Sequence, residues 1–249
     1  MELLPGAESW SHMSSGGRGA LCLHGFTGNP NSMRGVAGAF AEAGFHVELP
    51  RLPGHGTTIE DMLTTGWADW TGEVEAAYRR LSERAERIVV CGLSMGGSLT
   101  LHTALNHPEV RGIVCVNPAV HSQPDEVLDM VRGMIDEGTM MMPGIGSDIA
   151  DPDVTEEAYD GTPLPPLLSL MDGLAGQSGR YGELMMPLLL ITSEQDHVVE
   201  PEQSRTLADA YGGDVDHVWL PRSFHVATLD YDAPDIRERA VAFAEKVCS

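Results

Sequence analysis

The most constraining stretch of the chain is Gly92-Leu93-Ser94-Met95-Gly96-Gly97. It follows Arg87-Ile88-Val89-Val90-Cys91, which reads as a buried strand, and precedes Ser98–Leu105, which reads as a helix. A serine flanked by glycines between a strand and a helix specifies a sharp, strained turn. The glycines have a steric task, because neighbouring backbone passes too close for a Cβ. The pattern has little weight alone: in a chain with 28 Gly among 249 residues, chance supplies roughly 0.2 matches. Its context carries the argument.

Ahead of it, Ala20–Leu23 is a continuous apolar run ending in the turn His24-Gly25-Phe26-Thr27-Gly28. Asn31 or Ser32 can cap a helix that places Met33, Val36, Ala37, Phe40 and Ala41 on one face, with Gly44 stopping it. A strand over Phe45–Leu49 follows, then a loop holding Pro53-Gly54-His55-Gly56. Trp67–Arg84 reads as an amphipathic helix, and Arg111–Asn117 as another buried strand. A short strand fits near Ser9–His12. Strand and helix alternate, which predicts an α/β fold: a mostly parallel sheet with helices on both faces.

The alternation stops at about Ala119 and resumes after Glu183. The interval shows no strand-like run, with helices expected near Asp125–Glu137 and Pro165–Ala175. In and just after it lie Met130, Met134, Met140, Met141, Met142, Met171, Met185 and Met186, eight of the 13 methionines. So long a break within an α/β pattern reads as an inserted cap over residues 119–183. The core then comprises residues 1–118 and 184–249. A flexible Met-rich underside of the cap suits an apolar substrate. The sheet resumes at Leu188–Thr192 and ends at Val215–Leu220, with helices over Pro201–Tyr211 and Asp235–Val247.

The formal net charge of −22 argues against nucleic acid and anionic membranes as partners. No apolar run approaches the roughly 18 residues of a membrane span. The start of the chain lacks a basic n-region and a long apolar stretch, so a cytoplasmic protein is expected. Cys22, Cys91 and Cys115 sit in strand-like runs as small core residues, and neither they nor the ten histidines show metal-ligand spacing. No metal or cofactor is implied.

A serine hydroxyl is a poor nucleophile unaided. If Ser94 is one, it needs a histidine base and a carboxylate to hold that histidine's tautomer. In this architecture the order is Ser, acid, His, each on a loop at the carboxyl end of a strand. The loop after Leu188–Thr192 offers Asp196, with Glu194 as a nearby competitor. The loop after Val215–Leu220 offers His225, and no histidine follows it. Backbone N–H groups of Met95, after the serine, and Phe26, after the first long strand, could form an oxyanion hole. His24 and His55 would shape their glycine-rich turns, while His102, His107, His121, His197 and His217 show no paired role.

With these motifs the chain resembles the α/β-hydrolases, and among them the small bacterial carboxylesterases and monoacylglycerol lipases. The resemblance rests on residues 24–28, 53–56, 92–97, Asp196 in Ser193–Asp196, His225 in Ser223–His225, and Tyr159-Asp160-Gly161-Thr162-Pro163. It implies an α/β-hydrolase fold with a small helical cap. It also implies cofactor-free hydrolysis of acyl esters through an acyl-enzyme, with monoacylglycerols and short- to medium-chain esters as substrates. It further implies a glycerol contact at Asp160. A general carboxylesterase, a thioesterase, or a binding protein that kept the fold without catalysis are the alternatives.

Overall fold

The computed structural model describes residues 2–144 and 146–249. In chain order the elements are β1 (Trp10–His12), β2 (Arg18–Leu23), α1 (Asn31–Glu42), β3 (His46–Leu49), α2 (Ile59–Met62), α3 (Trp67–Ser82), β4 (Arg87–Leu93), α4 (Met95–Asn106) and β5 (Gly112–Val116). There follow α5 (Asp125–Asp136), β6 (Met141–Pro143), β7 (Gly161–Pro163), α6 (Leu164–Gln177) and a 3₁₀ turn at Ser178–Glu183. The chain closes with β8 (Leu188–Ser193), α7 (Glu202–Ala210), β9 (Val215–Leu220) and α8 (Ala233–Val247).

Among the described residues the main sheet has seven strands in the order β1-β3-β2-β4-β5-β8-β9. Only β1 runs antiparallel to its neighbour. The period-2 geometry of strands explains the near-continuous apolar runs. Leu21, Leu23, Val90, Leu188 and Leu190 face one core, built with α3 and α4. Ala20, Cys22, Val89, Cys91, Leu189 and Ile191 face the other, built with α1 and α8. Both faces are therefore covered, as the alternation of elements predicts. All three strand cysteines are fully buried in these cores.

On α3, Trp70, Val74, Ala77, Tyr78 and Leu81 form the buried stripe, one face of a 3.6-residue period. Asp69 lies in its first turn and Arg79 and Arg80 in its last, matching the helix dipole. The start of α1 differs from expectation. Neither Asn31 nor Ser32 caps it; Asn29 does, its Oδ1 accepting the Asn31 N–H at 2.9 Å.

The 119–183 segment holds the expected helices, but also an antiparallel pair, β6 with β7, which the sequence does not announce. Each strand is three residues long and ends in proline, and Met141 is exposed, so no apolar alternation marks it. The methionines also depart from an inward-facing lining. The apolar stripe of α5 buries Leu128 and Val131, which turns Met130 outward to 59% exposure. Met140, Met141 and Met185 are exposed too, whereas Met171 and Met186 join the core. Among the described residues no helix is long and apolar enough to cross a membrane.

Candidate active site

Strand β4 ends at Leu93 and α4 begins at Met95, so Ser94 alone makes the turn. It does so at φ 56° and ψ −119°, a region that a residue with a Cβ occupies only under constraint. Such strain costs on the order of 1–3 kcal/mol and persists where the surroundings impose it. Here the Ser94 N–H donates to the Val116 carbonyl at 2.9 Å, and the Ser94 carbonyl accepts from Gly97 N–H at 2.8 Å.

The glycines of the turn are there for close approach. A Cβ on Gly92 would collide with the Gly96 carbonyl, and one on Gly96 with the carbonyl of Leu23 in β2. Backbone atoms cannot step aside as a flexible side chain can. Gly96→Ala is therefore expected to destabilise by at least the upper end of the ~1–3 kcal/mol of ordinary overpacking. Urea unfolding checks this, with Gly17→Ala as a near-neutral control, since nothing lies within 4 Å of a Cβ there.

Gly25 packs against the same turn: a Cβ on it would stand 3.9 Å from Ser94 Oγ. The His24–Gly28 loop thus lies over Ser94. His24 fixes this loop from beneath. Its Nε2 accepts the Leu52 N–H at 3.1 Å, so its proton is on Nδ1, which donates to the Gly25 carbonyl at 3.0 Å. Burial, and then the neighbouring His55, hold its pKa well below that of an ordinary histidine, so the ring is neutral. Burial likewise lowers His55, to about 4. The two rings meet edge to face at 5.0 Å, and His55 also meets Trp70 at 5.7 Å. Both histidines shape their turns, as expected. Among the described residues neither the Phe26 nor the Met95 N–H is used in a hydrogen bond. For Met95 this follows from its place in the first turn of α4.

Asp196 and His225 are brought together. His225 Nδ1 donates to Asp196 Oδ2 at 2.7 Å, with the two side chains only 8% and 1% exposed. The other Asp196 oxygen accepts the N–H groups of Val198 and Val199 at 2.9 and 2.8 Å. Glu194, the competing carboxylate, is exposed. Among the described residues no hydrogen bond joins Ser94 Oγ to His225 Nε2; bonds of this kind commonly close only with substrate in place.

Four residues that support the site escape a reading of the sequence. Asn117 follows β5 at φ 45°, a conformation Asn tolerates better than most residues. Its Oδ1 accepts the Ser193 N–H at 2.7 Å and its Nδ2 donates to the His225 carbonyl at 2.7 Å. It therefore ties the end of β8 to the histidine loop. Its position after a strand was the available signal. Asp230 accepts the N–H groups of Phe224, Ala150 and Asp151 at 2.9, 2.7 and 3.1 Å. Asp148 bonds His197 and the His225 backbone, so His197 does have a partner; His107 has two, Glu75 and Glu109.

Glu156 is the fourth. A Cβ on Gly28 would stand 2.7 Å from its Oε1, so the carboxylate lies against the His24–Gly28 loop. Burial raises its pKa, while the nearby His225 pulls the other way. Among the described residues it forms no salt bridge. Asp160, by contrast, is exposed, and its carbonyl accepts the Gly144 N–H at 2.9 Å at the start of β7. In the same segment Glu156, four residues earlier, is the carboxylate that lies against the His24–Gly28 loop. Among the described residues no cluster of three or more His, Cys, Asp or Glu side chains is placed to hold a metal ion.

Residues 20–236 match the model of the alpha/beta hydrolase family. The chain is 42% identical to the thermostable monoacylglycerol lipase of Bacillus sp. (strain H-257), over 98% of this chain and 96% of the relative. It is 28% identical to a carboxylesterase of Bacillus subtilis (strain 168), over 93% and 94%. Among solved structures, a chain from the metagenome-derived lipolytic enzymes LipS and LipT superposes with a TM-score of 0.93 at 40% identity, covering 98% of this chain and all of the other. The monoacylglycerol lipase of Paleococcus ferrophilus shares the fold at a TM-score of 0.81 and 17% identity, over 99% of this chain and all of that one. The seven-stranded sheet, the strained serine turn after β4 and a family match across nearly the whole chain agree: this protein belongs to the alpha/beta hydrolase family.

Proposed function

We propose that the protein is a serine hydrolase of carboxylic esters, with Ser94 as nucleophile, His225 as base and Asp196 as the residue that orients the base. The observation that carries this reading is the buried 2.7 Å bond from His225 Nδ1 to Asp196, which leaves Nε2 as the nitrogen that can take a proton. Ser94 Oγ attacks the ester carbonyl carbon while its proton passes to His225 Nε2. The negative oxygen is received by the N–H groups of Phe26 and Met95, each such donor being worth about 2.7–4 kcal/mol in the transition state. The intermediate collapses, the C–O bond breaks, and the alcohol departs with the proton from Nε2. Water, deprotonated by His225, then attacks the acyl-enzyme, releasing the acid and restoring the Ser94 hydroxyl.

For the substrate, the proposal is a monoacylglycerol or another short- to medium-chain ester. The name of the 42% identical relative supports it, and so does Glu156, a carboxylate able to accept hydrogen bonds from free hydroxyls of the alcohol part. Segment 119–183 serves as the cap over this site. Four free, buried thiols fit a cytoplasmic enzyme.

Hydrolysis rates are measured on monoacylglycerols, triacylglycerols, p-nitrophenyl butyrate and an acyl thioester. The expected result is at least tenfold higher kcat/KM on monoacylglycerol than on triacylglycerol. Glu156→Ala should then raise KM for monoacylglycerol by roughly tenfold, the value of one hydrogen bond to a charged group. On p-nitrophenyl butyrate the same variant should change little. Equal turnover of mono- and triacylglycerol would leave a general carboxylesterase, and a preference for the thioester would make it a thioesterase.

A further inference from the structure

Asp148 lies in segment 119–183, yet its oxygens all turn to the two loops that carry Asp196 and His225. Oδ2 accepts the His225 N–H at 3.0 Å and the His197 N–H at 3.2 Å. Oδ1 pairs with His197 Nδ1 at 2.8 Å. Its carbonyl accepts the Val226 N–H at 3.1 Å. The carboxylate is only 10% exposed, and the His197 ring that covers it stands edge-on to Phe224 at 4.6 Å. The contact continues along the chain. Ile149 packs onto the α1–α8 core, and the next two N–H groups reach Asp230, which also holds Phe224.

The length of the Asp196–His225 bond depends on how two separate loops are placed, one after β8 and one after β9. Asn117 ties them from the sheet side. Asp148 ties them from the opposite element, through the N–H of the residue after Asp196 and the N–H of His225 itself. A carboxylate shared by two backbone donors is a strong, charge-assisted clamp. Resting on the catalytic roles proposed above, we infer that Asp148 is a positioning residue: it sets the alignment of Asp196 with His225 from within the cap segment. Seating the cap and aligning the base are then one event. A residue that served only to anchor the segment would alter substrate binding or melting temperature and leave turnover alone.

The test uses full-length protein and p-nitrophenyl butyrate. Asp148→Ala is expected to lower kcat by about 10²-fold, the scale of a 1 Å misplacement of a catalytic group, with KM within threefold. The low-field proton resonance of the Asp196–His225 bond should shift or broaden. Asp148→Asn should recover most of the loss, because its amide oxygen can still accept both backbone N–H groups while its NH₂ faces a His197 ring whose tautomer can invert. Should Asp148→Ala not fold, Asp148→Ser carries the same expectation at roughly tenfold. A folded Ala or Ser variant with kcat within threefold of wild type overturns the inference, as does an Asn variant no better than Ala. Fluorophosphonate labelling of the wild type is run alongside. An unlabelled Ser94 overturns the catalytic reading itself; a labelled wild type with an undiminished Asp148→Ala overturns only the positioning role.

Discussion

Ser94→Ala is expected to lose about 10⁶ in kcat on p-nitrophenyl butyrate, the scale seen when a serine nucleophile is removed. The loss is chemical, since no other hydroxyl occupies the turn between β4 and α4. Its companion effect on stability should be small and of either sign. Ser94 holds φ 56° whatever its side chain, and Ala keeps the Cβ, so the strain is neither relieved nor increased. The backbone bonds to Val116 and Gly97 also remain. The check is kcat together with melting temperature: unchanged melting with activity at background supports the role. Activity within tenfold of wild type would remove Ser94 from the mechanism.

Asp196→Asn should lower kcat by about 10⁴-fold, and the local geometry says why. Oδ1 of Asp196 accepts two backbone N–H groups, from Val198 and Val199. An asparagine must keep its carbonyl oxygen there, because an NH₂ group facing two donors would leave all of them unpaired. Its Nδ2 is then forced toward His225 Nδ1. A donor facing that nitrogen drives the ring proton to Nε2, and a protonated Nε2 cannot accept the Ser94 proton. The loop conformation should survive, so the loss should appear in kcat with KM and melting little changed. A fall in activity of less than tenfold would mean that Asp196 does not govern the tautomer.

The two cores and the strand order could be read because the signals are local. Leu188 to Ile191 sends alternate side chains to opposite cores, and a continuous apolar run says so directly. The Ser94 turn is legible for the same reason: Gly92 and Gly96 each answer to a backbone contact within the motif or in the neighbouring strand. Asp196 and His225 followed from the ends of strands already located. Segment 119–183 is far less legible. β6 and β7 pair across residues with no periodic pattern, and Met130 faces outward although Leu128 and Val131 on the same helix are buried. Asp148, Glu156 and Asp230 owe their roles to loops that meet only in three dimensions. An acidic residue among 37 carries no mark of such a meeting.

The strand order also sets a timetable for the growing chain. β5 pairs on one edge with β4, which has already been made, and on the other with β8, which lies beyond residues 117–187. During synthesis the nascent sheet therefore carries an open, strongly apolar edge, Gly112–Val116, for as long as that stretch takes to emerge. The 119–183 segment is made in this interval and can shelter the edge only after folding itself. A ribosome stalled before Leu188 would hold a polypeptide with its Ser94 turn complete, the loops of Asp196 and His225 not yet made, and a template for aggregation exposed. Quality control of this enzyme thus falls on the span between its fifth strand and its eighth.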